Sequence, residues 1–218
     1  MEGVNWSLGD KSDRIELQRF DCCPGCRADT VRHPQDRRPC VTPWAHEVQA
    51  YFRQRAISHT NGRRRSHDQR LLLLHDASDL AGAAVHTSTP HPSAAERPTI
   101  FERRLEFYAI ASDRQGQTLS NGEYAAQALL RAAVTDITSR HDPRAEVFLT
   151  ALVHPENKAS QRCLERYGWL QRRTDDATYL LFAAALGTLQ KMHGVIPPAT
   201  HGDASGPDQA ETGEQTEP

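Results

Sequence analysis

The chain has no long hydrophobic run. Among its 218 residues, no apolar stretch approaches the roughly 20 residues that a membrane-spanning helix needs. The N-terminal segment MEGVNWSLGDKSD also lacks the apolar region found in signal peptides. An excess of charge of one sign is missing too, because the formal net charge is only −2, which gives no case for nucleic-acid or membrane binding. We therefore expect a cytoplasmic protein that does not contact a membrane.

Cysteine is scarce, and four of the five cysteines lie within residues 22–40. An odd number of clustered thiols in a reducing compartment favours metal binding or free thiols over disulfides. Cys23 and Cys26 form a CxxC knuckle that can bind one ion with two thiolates. One interpretation is therefore a structural zinc site formed by Cys23, Cys26, His33 and Cys40. The alternative is a surface insertion with free thiols, which the lack of a second close pair of ligands favours.

What the chain does contain is short apolar runs that alternate with helical patterns, at a length that suits one domain with extensions. We predict strands at residues 14–20, 71–74, 80–85, 105–111, 147–153 and 178–186. We predict helices at residues 42–57, from residue 121 to His141, and after Asn157. A single α/β domain would span residues 14–190 with a Cys-rich insertion at 22–40. Residues 1–13 would be a flexible lead-in and residues 197–218 a disordered acidic tail.

Residues 147–169, VFLTALVHPENKASQRCLERYGW, form the most informative stretch. Residues 147–153 are nearly all apolar, which is typical of a strand buried on both faces. Asn157 is a suitable N-cap for a helix, and Gly168 stands where a C-cap glycine would. A strand followed by a helix in this way often places a ligand at the strand's C-terminal end.

Residues 153–160 read VHPENKAS, and residues 167–169 read YGW. This stretch resembles the GNAT superfamily of N-acetyltransferases, whose members often carry V-x-P-x-N-x-x-[AS], a short helix and then G-[FW]. The order of the predicted elements agrees over residues 70–185 and more weakly over 14–60. The resemblance implies an α/β fold with a mixed central sheet flanked by helices.

A second similarity to this superfamily lies in the loop at residues 115–122, QGQTLSNG. In the superfamily this loop reads [QR]-x-x-G-x-[GA] and wraps the pyrophosphate of acetyl-coenzyme A with backbone N–H groups. Gln115 fits that pattern, whereas Thr118 and Ser120 replace the two small positions. The resemblance implies coenzyme contacts by Ile110, Ala111, Gln115, Gly116, Gln117, Thr118, Leu119, Ser120, Asn121, Gly122, Asn157 and Ser160.

The resemblance also implies a mechanism in which an amine attacks acetyl-coenzyme A directly, without a covalent enzyme intermediate. Such a transfer needs a base for the ammonium and an acid for the leaving thiolate. The candidates for the base are Glu106 and His86, and a chain of water molecules is an alternative. Many members place a tyrosine seven residues after the asparagine, where this chain has Leu164. Tyr167, one turn later, is the candidate for the acid.

Three hypotheses about function stay open at this point. The first is an active N-acetyltransferase with a small-molecule or protein amine as acceptor. The second is a degenerate acetyltransferase-like domain that binds coenzyme A or a protein partner without turnover, which Thr118, Ser120 and Leu164 favour. The third is a toxin-like acetyltransferase that acts on charged tRNA, with the basic segment 63–70 steering the nucleic acid. The near-neutral charge argues against the third, and homodimerisation is open.

Overall fold

The computed structural model describes residues 3–23, 43–57, 68–90, 100–141, 145–174 and 178–196. Two short 3-10 turns, Lys11–Asp13 and Ser112–Arg114, accompany the main elements. The seven strands are β1 Val4–Leu8, β2 Arg70–Asp76, β3 Asp79–Pro90, β4 Ile100–Ile110, β5 Glu146–Val153, β6 Leu170–Arg172 and β7 Leu180–Ala185. The α-helices of this part of the chain are α1 Arg14–Arg19, α2 Pro43–Gln54, α3 Ala125–Arg140, α4 Lys158–Arg166 and α5 Leu186–His193.

The strands form one mixed sheet in the order β1-β2-β3-β4-β5-β7-β6. The pair β4–β5 is parallel, and the other neighbouring pairs are antiparallel. One face packs against α3, α4 and α5 in a core that includes Leu129, Trp169 and Phe182. The other face packs against α1 and α2 through Leu17 and Phe52. The predicted fold class, a mixed sheet flanked by helices, is therefore confirmed.

The strand predicted at residues 14–20 was wrong, because residues 14–19 form helix α1 and Phe20 is its C-cap. The apparent alternation in RIELQRF is misleading: the two residues that reach the core are Leu17 and Phe20, which are three apart and so share one face of a helix. Ile15 remains exposed. The first strand lies instead at Val4–Leu8, within the segment predicted as a flexible lead-in, and pairs with β2 at the edge of the sheet.

Strand β5 was predicted correctly, but its burial was not. Its residues alternate between buried and accessible positions, with Phe148 37% and Leu152 40% exposed. The sequence hides this alternation because apolar side chains stand on both faces. The core under α1 and α2 takes residues from β2, β3 and β4, whereas the described part of the chain places no helix over this face of β5. Leu152 and Phe148 are therefore accessible.

A β-bulge interrupts β4 in its middle. Val85 of β3 pairs with Phe107, but the next residue, His86, pairs with Leu105, so that Glu106 is an extra residue without a partner position on β3. A bulge of this kind bends the strand and increases its twist. The bulge therefore places a bend in β4 at Glu106.

A buried ionic network joins β2, β3 and β4 to helix α3. Asp136 of α3 accepts hydrogen bonds from Arg70 at 2.9 Å and from His86 at 3.1 Å. Burial alone would raise the pKa of Asp136, but the hydrogen bonds and charges of His86 and Arg70 hold it well below the usual range. Arg103, which is 2% exposed, extends the network by its hydrogen bond to Asp68 at 2.6 Å. These contacts fix α3 against the sheet.

His141 at the end of α3 should make the stability depend on pH. Burial and the charge of Arg103 lower the pKa of His141 to about 4 from an ordinary value of 6.5, and Arg103 Nε donates to its Nε2 atom at 2.9 Å. Because the folded state holds His141 neutral, its contribution is complete above pH 6.5 and is lost as the pH falls towards 4. The His141→Gln variant should show a shallower loss of unfolding free energy over this range in urea titrations. An unchanged slope would contradict this.

Candidate functional site

The sheet splits between β4 and β5. The two strands pair from Ile100 with Glu146 to Leu105 with Ala151, and there the pairing stops. Strand β4 continues to Ile110 and β5 to Val153, so the segments beyond the last pair face each other across a cleft. The split begins at the bulge residue Glu106. The bend that the bulge introduces is the physical reason why β4 leaves β5 at this point.

The wall of the cleft on β4 offers backbone hydrogen-bonding groups. The N–H of Ala111 donates to Ala81 on β3 at 2.9 Å. Backbone groups alternate in direction along a strand, so those of Tyr108 and Ile110 point to the other side, where β5 has already diverged. Gln115 donates its side-chain amide to the carbonyl of Ile110 at 3.1 Å and to that of Cys22 at 2.9 Å, which holds the following loop in place.

The N-terminus of α3 lies at the same end of the cleft. The helix begins at Ala125, and its N-cap residue, Tyr124, makes no side-chain capping bond. Two tyrosines from different elements hold the first turn. Tyr108 of β4 donates to the carbonyl of Ala126 at 2.7 Å, and Tyr167 at the end of α4 donates to Gln127 at 3.3 Å. A helix N-terminus without a side-chain cap is a favourable place for an anionic group.

Part of the predicted pyrophosphate loop turns away from the cleft. The N–H of Ser120 is bonded to the Asp76 carboxylate of β2 at 3.1 Å, and β2 is two strands from β4 in the sheet. Leu119 is buried in the core beneath α3, and Thr118 forms a bridge with Tyr124. Asn121 accepts from the N–H of Glu123 at 3.0 Å.

Two predicted loop residues are glycines in left-handed conformations. Gly116 has φ +74° and Gly122 has φ +82°, so they allow the two sharp turns of the loop. Gln117 accepts a hydrogen bond from the N–H of Ala125 at the start of α3. The predicted contacts of residues 115–122 with a coenzyme stay a prediction, and the N-terminus of α3 at residues 124–127 is an additional surface that the sequence did not single out.

Helix α4 is positioned as the motif predicts. Asn157 is its N-cap, and its side-chain oxygen accepts from the N–H of Ser160 at 3.1 Å. The two residues expected to contact a coenzyme on this helix therefore form its first turn, beside the end of β5. Leu164 is buried in the core at 4% exposure. Tyr167, the candidate acid, is bonded to Gln127 rather than directed to the end of β5, and its catalytic role stays a prediction.

The two candidate bases lie in different environments. Glu106 is exposed at the split, and the hydroxyl of Thr87 donates to its carboxylate at 2.9 Å. His86 has no exposed surface and is bonded to Asp136 beneath α3, and burial lowers its pKa despite that carboxylate. Both roles stay predictions, but the geometry favours Glu106, because it lies where the strands separate.

The proposed zinc ligands fall mostly outside the described residues, as do the tail at residues 197–218 and most of the basic segment 63–70. Cys23 is the one zinc candidate in the described part; it is buried, and its N–H donates to Gln49 at 2.9 Å. The N–H of Cys22 donates to the same oxygen, and burial raises the pKa of its thiol to about 12. Within the described ranges, no cluster of three or more His, Cys, Asp or Glu side chains is arranged to hold a metal ion.

Comparisons with known proteins agree on the fold. No protein-family profile and no curated protein sequence matches this chain. A bacterial toxin of known structure is 16% identical over 92% of this chain and 100% of its own, with a TM-score of 0.58. A mutant AtaT toxin bound to acetyl-CoA and the C-terminus of its antitoxin AtaR is 13% identical over 88% and 98%, with a TM-score of 0.54.

A third solved structure is the PaiA N-acetyltransferase from Thermoplasma acidophilum in complex with coenzyme A. It is 13% identical to this chain, covers 84% of it and 99% of its own length, and has a TM-score of 0.50. The chain described here therefore has the fold of the GNAT acetyltransferases, as its sequence motif predicted. At these identities the likeness establishes the fold alone. None of the helices in the described ranges is long and apolar enough to cross a membrane.

Proposed function

We propose that this protein is an N-acetyltransferase that moves an acetyl group from acetyl-coenzyme A to an amine by direct attack. The observation that carries the proposal is the split between β4 and β5 beside the N-terminus of α3, where Tyr124 makes no side-chain capping bond. The split offers the backbone groups of Tyr108 and the N–H of Ile110, whose carbonyl is bonded to Gln115, to an extended pantetheine chain, which would bind as an added strand. The helix N-terminus offers N–H groups and a partial positive charge to the pyrophosphate.

The proposed acetyl transfer uses one side chain at the split, Glu106, together with the two substrates. The acceptor enters as an ammonium ion and loses one proton to Glu106, directly or through a water molecule. The free amine attacks the thioester carbonyl carbon, a C–N bond forms, and the C–S bond breaks. Coenzyme A leaves as a thiolate and takes up the second proton of the amine. Holding both reactants at one point of the cleft supplies much of the rate enhancement, because the attack becomes effectively unimolecular.

Binding of acetyl-coenzyme A is the first test of this proposal. Isothermal titration calorimetry should show one site per chain with a Kd in the micromolar range. The pantetheine chain would contribute apolar contacts and backbone hydrogen bonds, and the pyrophosphate would contribute charge-assisted bonds. Adenosine should bind far more weakly, because it lacks the pyrophosphate. Absence of any binding of acetyl-coenzyme A would refute the proposal. Binding without thiol release in the presence of amines would favour a degenerate, non-catalytic domain instead.

Asp76 should affect coenzyme binding without touching the coenzyme. Its carboxylate holds the loop before α3 by accepting from the N–H of Ser120 and from Arg114 at 3.3 Å. The Asp76→Ala variant should therefore raise the Kd of acetyl-coenzyme A by about tenfold, because a hydrogen bond to a charged group is lost and α3 is no longer aimed at the cleft. Asp79→Ala is the matched control: Asp79 contacts the same Arg114 but its side chain is 76% exposed. Equal Kd values for both variants would contradict this role.

A toxin-like acetyltransferase that acts on charged tRNA is the second candidate. Three solved structures with TM-scores above 0.5 are of toxins, and this likeness supports the candidate. Within the segment expected to steer the nucleic acid, however, Arg70 is already paired with Asp136. Thiol release that requires aminoacylated tRNA, and that falls steeply with added salt, would favour this candidate over a small amine.

A further inference from the structure

The acceptor side of the split combines one carboxylate with apolar and aromatic surface. Glu106 and Leu152 are the first residues beyond the last β4–β5 pair, Leu105 with Ala151. Leu152 points away from the core that holds Ala151 and Val153. Glu106 is bonded to Thr87, which alternates along β3 with the buried His86 and so points to the face covered by α2. The two side chains therefore stand on opposite lips of the split and on the same face.

An apolar row extends from this lip across the sheet. Leu152 is paired with Leu181 of β7, which is paired in turn with Arg172 of β6. Residues paired directly across neighbouring strands share a face. The row therefore begins at Leu152, beside the split, and ends at the guanidinium of Arg172. Leu152 is 40% exposed, which is unusual for a large apolar residue in a central strand.

Three rings lie together beyond the end of β5. His154, the second residue after Leu152, is stacked on Trp44 of α2, with ring centroids 4.7 Å apart. Tyr179, next to β7, meets the edge of the same imidazole at 6.3 Å. The rings come from three separate parts of the chain, so the fold brings them together at the acceptor side rather than within one element.

From this arrangement we infer that the acceptor is a primary monoamine with an apolar or aromatic body. The inference rests on the proposed function and specifies its substrate. The ammonium would pair with Glu106, and the apolar body would lie on Leu152 and against the three rings. A polyamine fits poorly, because its further cations would lie on apolar surface and approach Arg172. The apolar row is assigned to the acceptor because it starts at Leu152, on the edge of the split that faces Glu106.

The test compares three amines with the full-length protein. Values of kcat/KM are measured by thiol release from acetyl-coenzyme A with 2-phenylethylamine, ethanolamine and spermidine. The apolar amine should be preferred by about tenfold or more over ethanolamine, since apolar groups in such sites commonly discriminate by that factor. Equal values for the three amines, or a preference for spermidine, would overturn the inference and leave the proposed function intact. Absence of turnover with all three, although acetyl-coenzyme A binds, would overturn both.

A pair of matched variants locates the apolar contact. Leu152→Ser should raise KM for 2-phenylethylamine about tenfold with little change in kcat, because only binding of the body is lost. Phe148→Ser is the control: Phe148 lies on the same face of β5 at similar exposure, 37% against 40%. It stands four residues, about 13 Å, before Leu152 and so away from the split. Equal KM values for both variants and the wild type would overturn the inference, as would an equal rise in both.

Discussion

Replacing Glu106 by glutamine should lower kcat for acetyl transfer by about 100-fold or more, the range typical for loss of a general base. The glutamine keeps the size of the side chain and can still accept from Thr87, whose hydroxyl lies 2.9 Å from the carboxylate. It cannot take a proton from the acceptor ammonium. KM for acetyl-coenzyme A should change little, because Glu106 points to the acceptor side of the split.

Glu102→Gln provides the matched control for this experiment. Glu102 lies on the same strand, four residues before the bulge, and its carboxylate accepts from Thr150 at 2.6 Å and from Arg104 at 3.0 Å. It stands within the paired part of β4 and β5 rather than at the split. Its replacement should leave kcat within about threefold of the wild type. If Glu106→Gln behaves in the same way as Glu102→Gln, a chain of water molecules serves as the base and Glu106 has no catalytic role.

The Asp136→Ala variant should lose about 3–5 kcal/mol of unfolding free energy, which is a large part of the stability of an average domain. Its carboxylate is the acceptor for both His86, which is fully buried, and Arg70, whose side chain is 24% exposed. Without Asp136, the Arg70 guanidinium and the buried His86 imidazole lose the carboxylate that both contact beneath α3. Desolvation of the unpaired groups, rather than the loss of one attraction, is the main cost.

Urea unfolding of Asp136→Ala and Asp79→Ala separates this account from a general effect of removing an acidic residue. Asp79 lies 3.5 Å from Arg114 in an exposed pair, and its removal should cost less than about 1 kcal/mol. A loss below about 1 kcal/mol for both variants would show that the network under α3 contributes little. Such a result would also mean that these contacts do not fix α3 against the sheet.

The stretch around Asn157 was predictable because its signals are local. An apolar run, a proline, an N-cap and a C-cap glycine follow one another within 23 residues, and the structure shows strand β5 and helix α4 at these positions. The bulge at Glu106 was not predictable, because it appears only in the register of β4 against β3. The sequence makes Glu106 a candidate base, but only the strand register shows that it lies where the sheet divides.

The environment of His86 was not predictable from local patterns. The residue is buried because Asp136, 50 residues later, supplies its partner. The loop before α3 is also arranged by a distant partner. Its amide at Ser120 is used by Asp76, 44 residues earlier, and the helix begins at Ala125 rather than at residue 121. In both cases the partner is distant in sequence, so the contact cannot be predicted from the spacing of neighbouring residues.

Thiol release from acetyl-coenzyme A in the presence of a primary amine is the direct measurement of the proposed acetyl transfer. The wild-type protein should release coenzyme A in proportion to the acetylated amine formed, with saturation in both substrates, and Glu106→Gln should reduce the rate about 100-fold. The same reaction without the amine should give no release above background, since the proposed transfer has no covalent intermediate. Release that does not depend on the amine, or no release from a protein that binds acetyl-coenzyme A, would contradict the account.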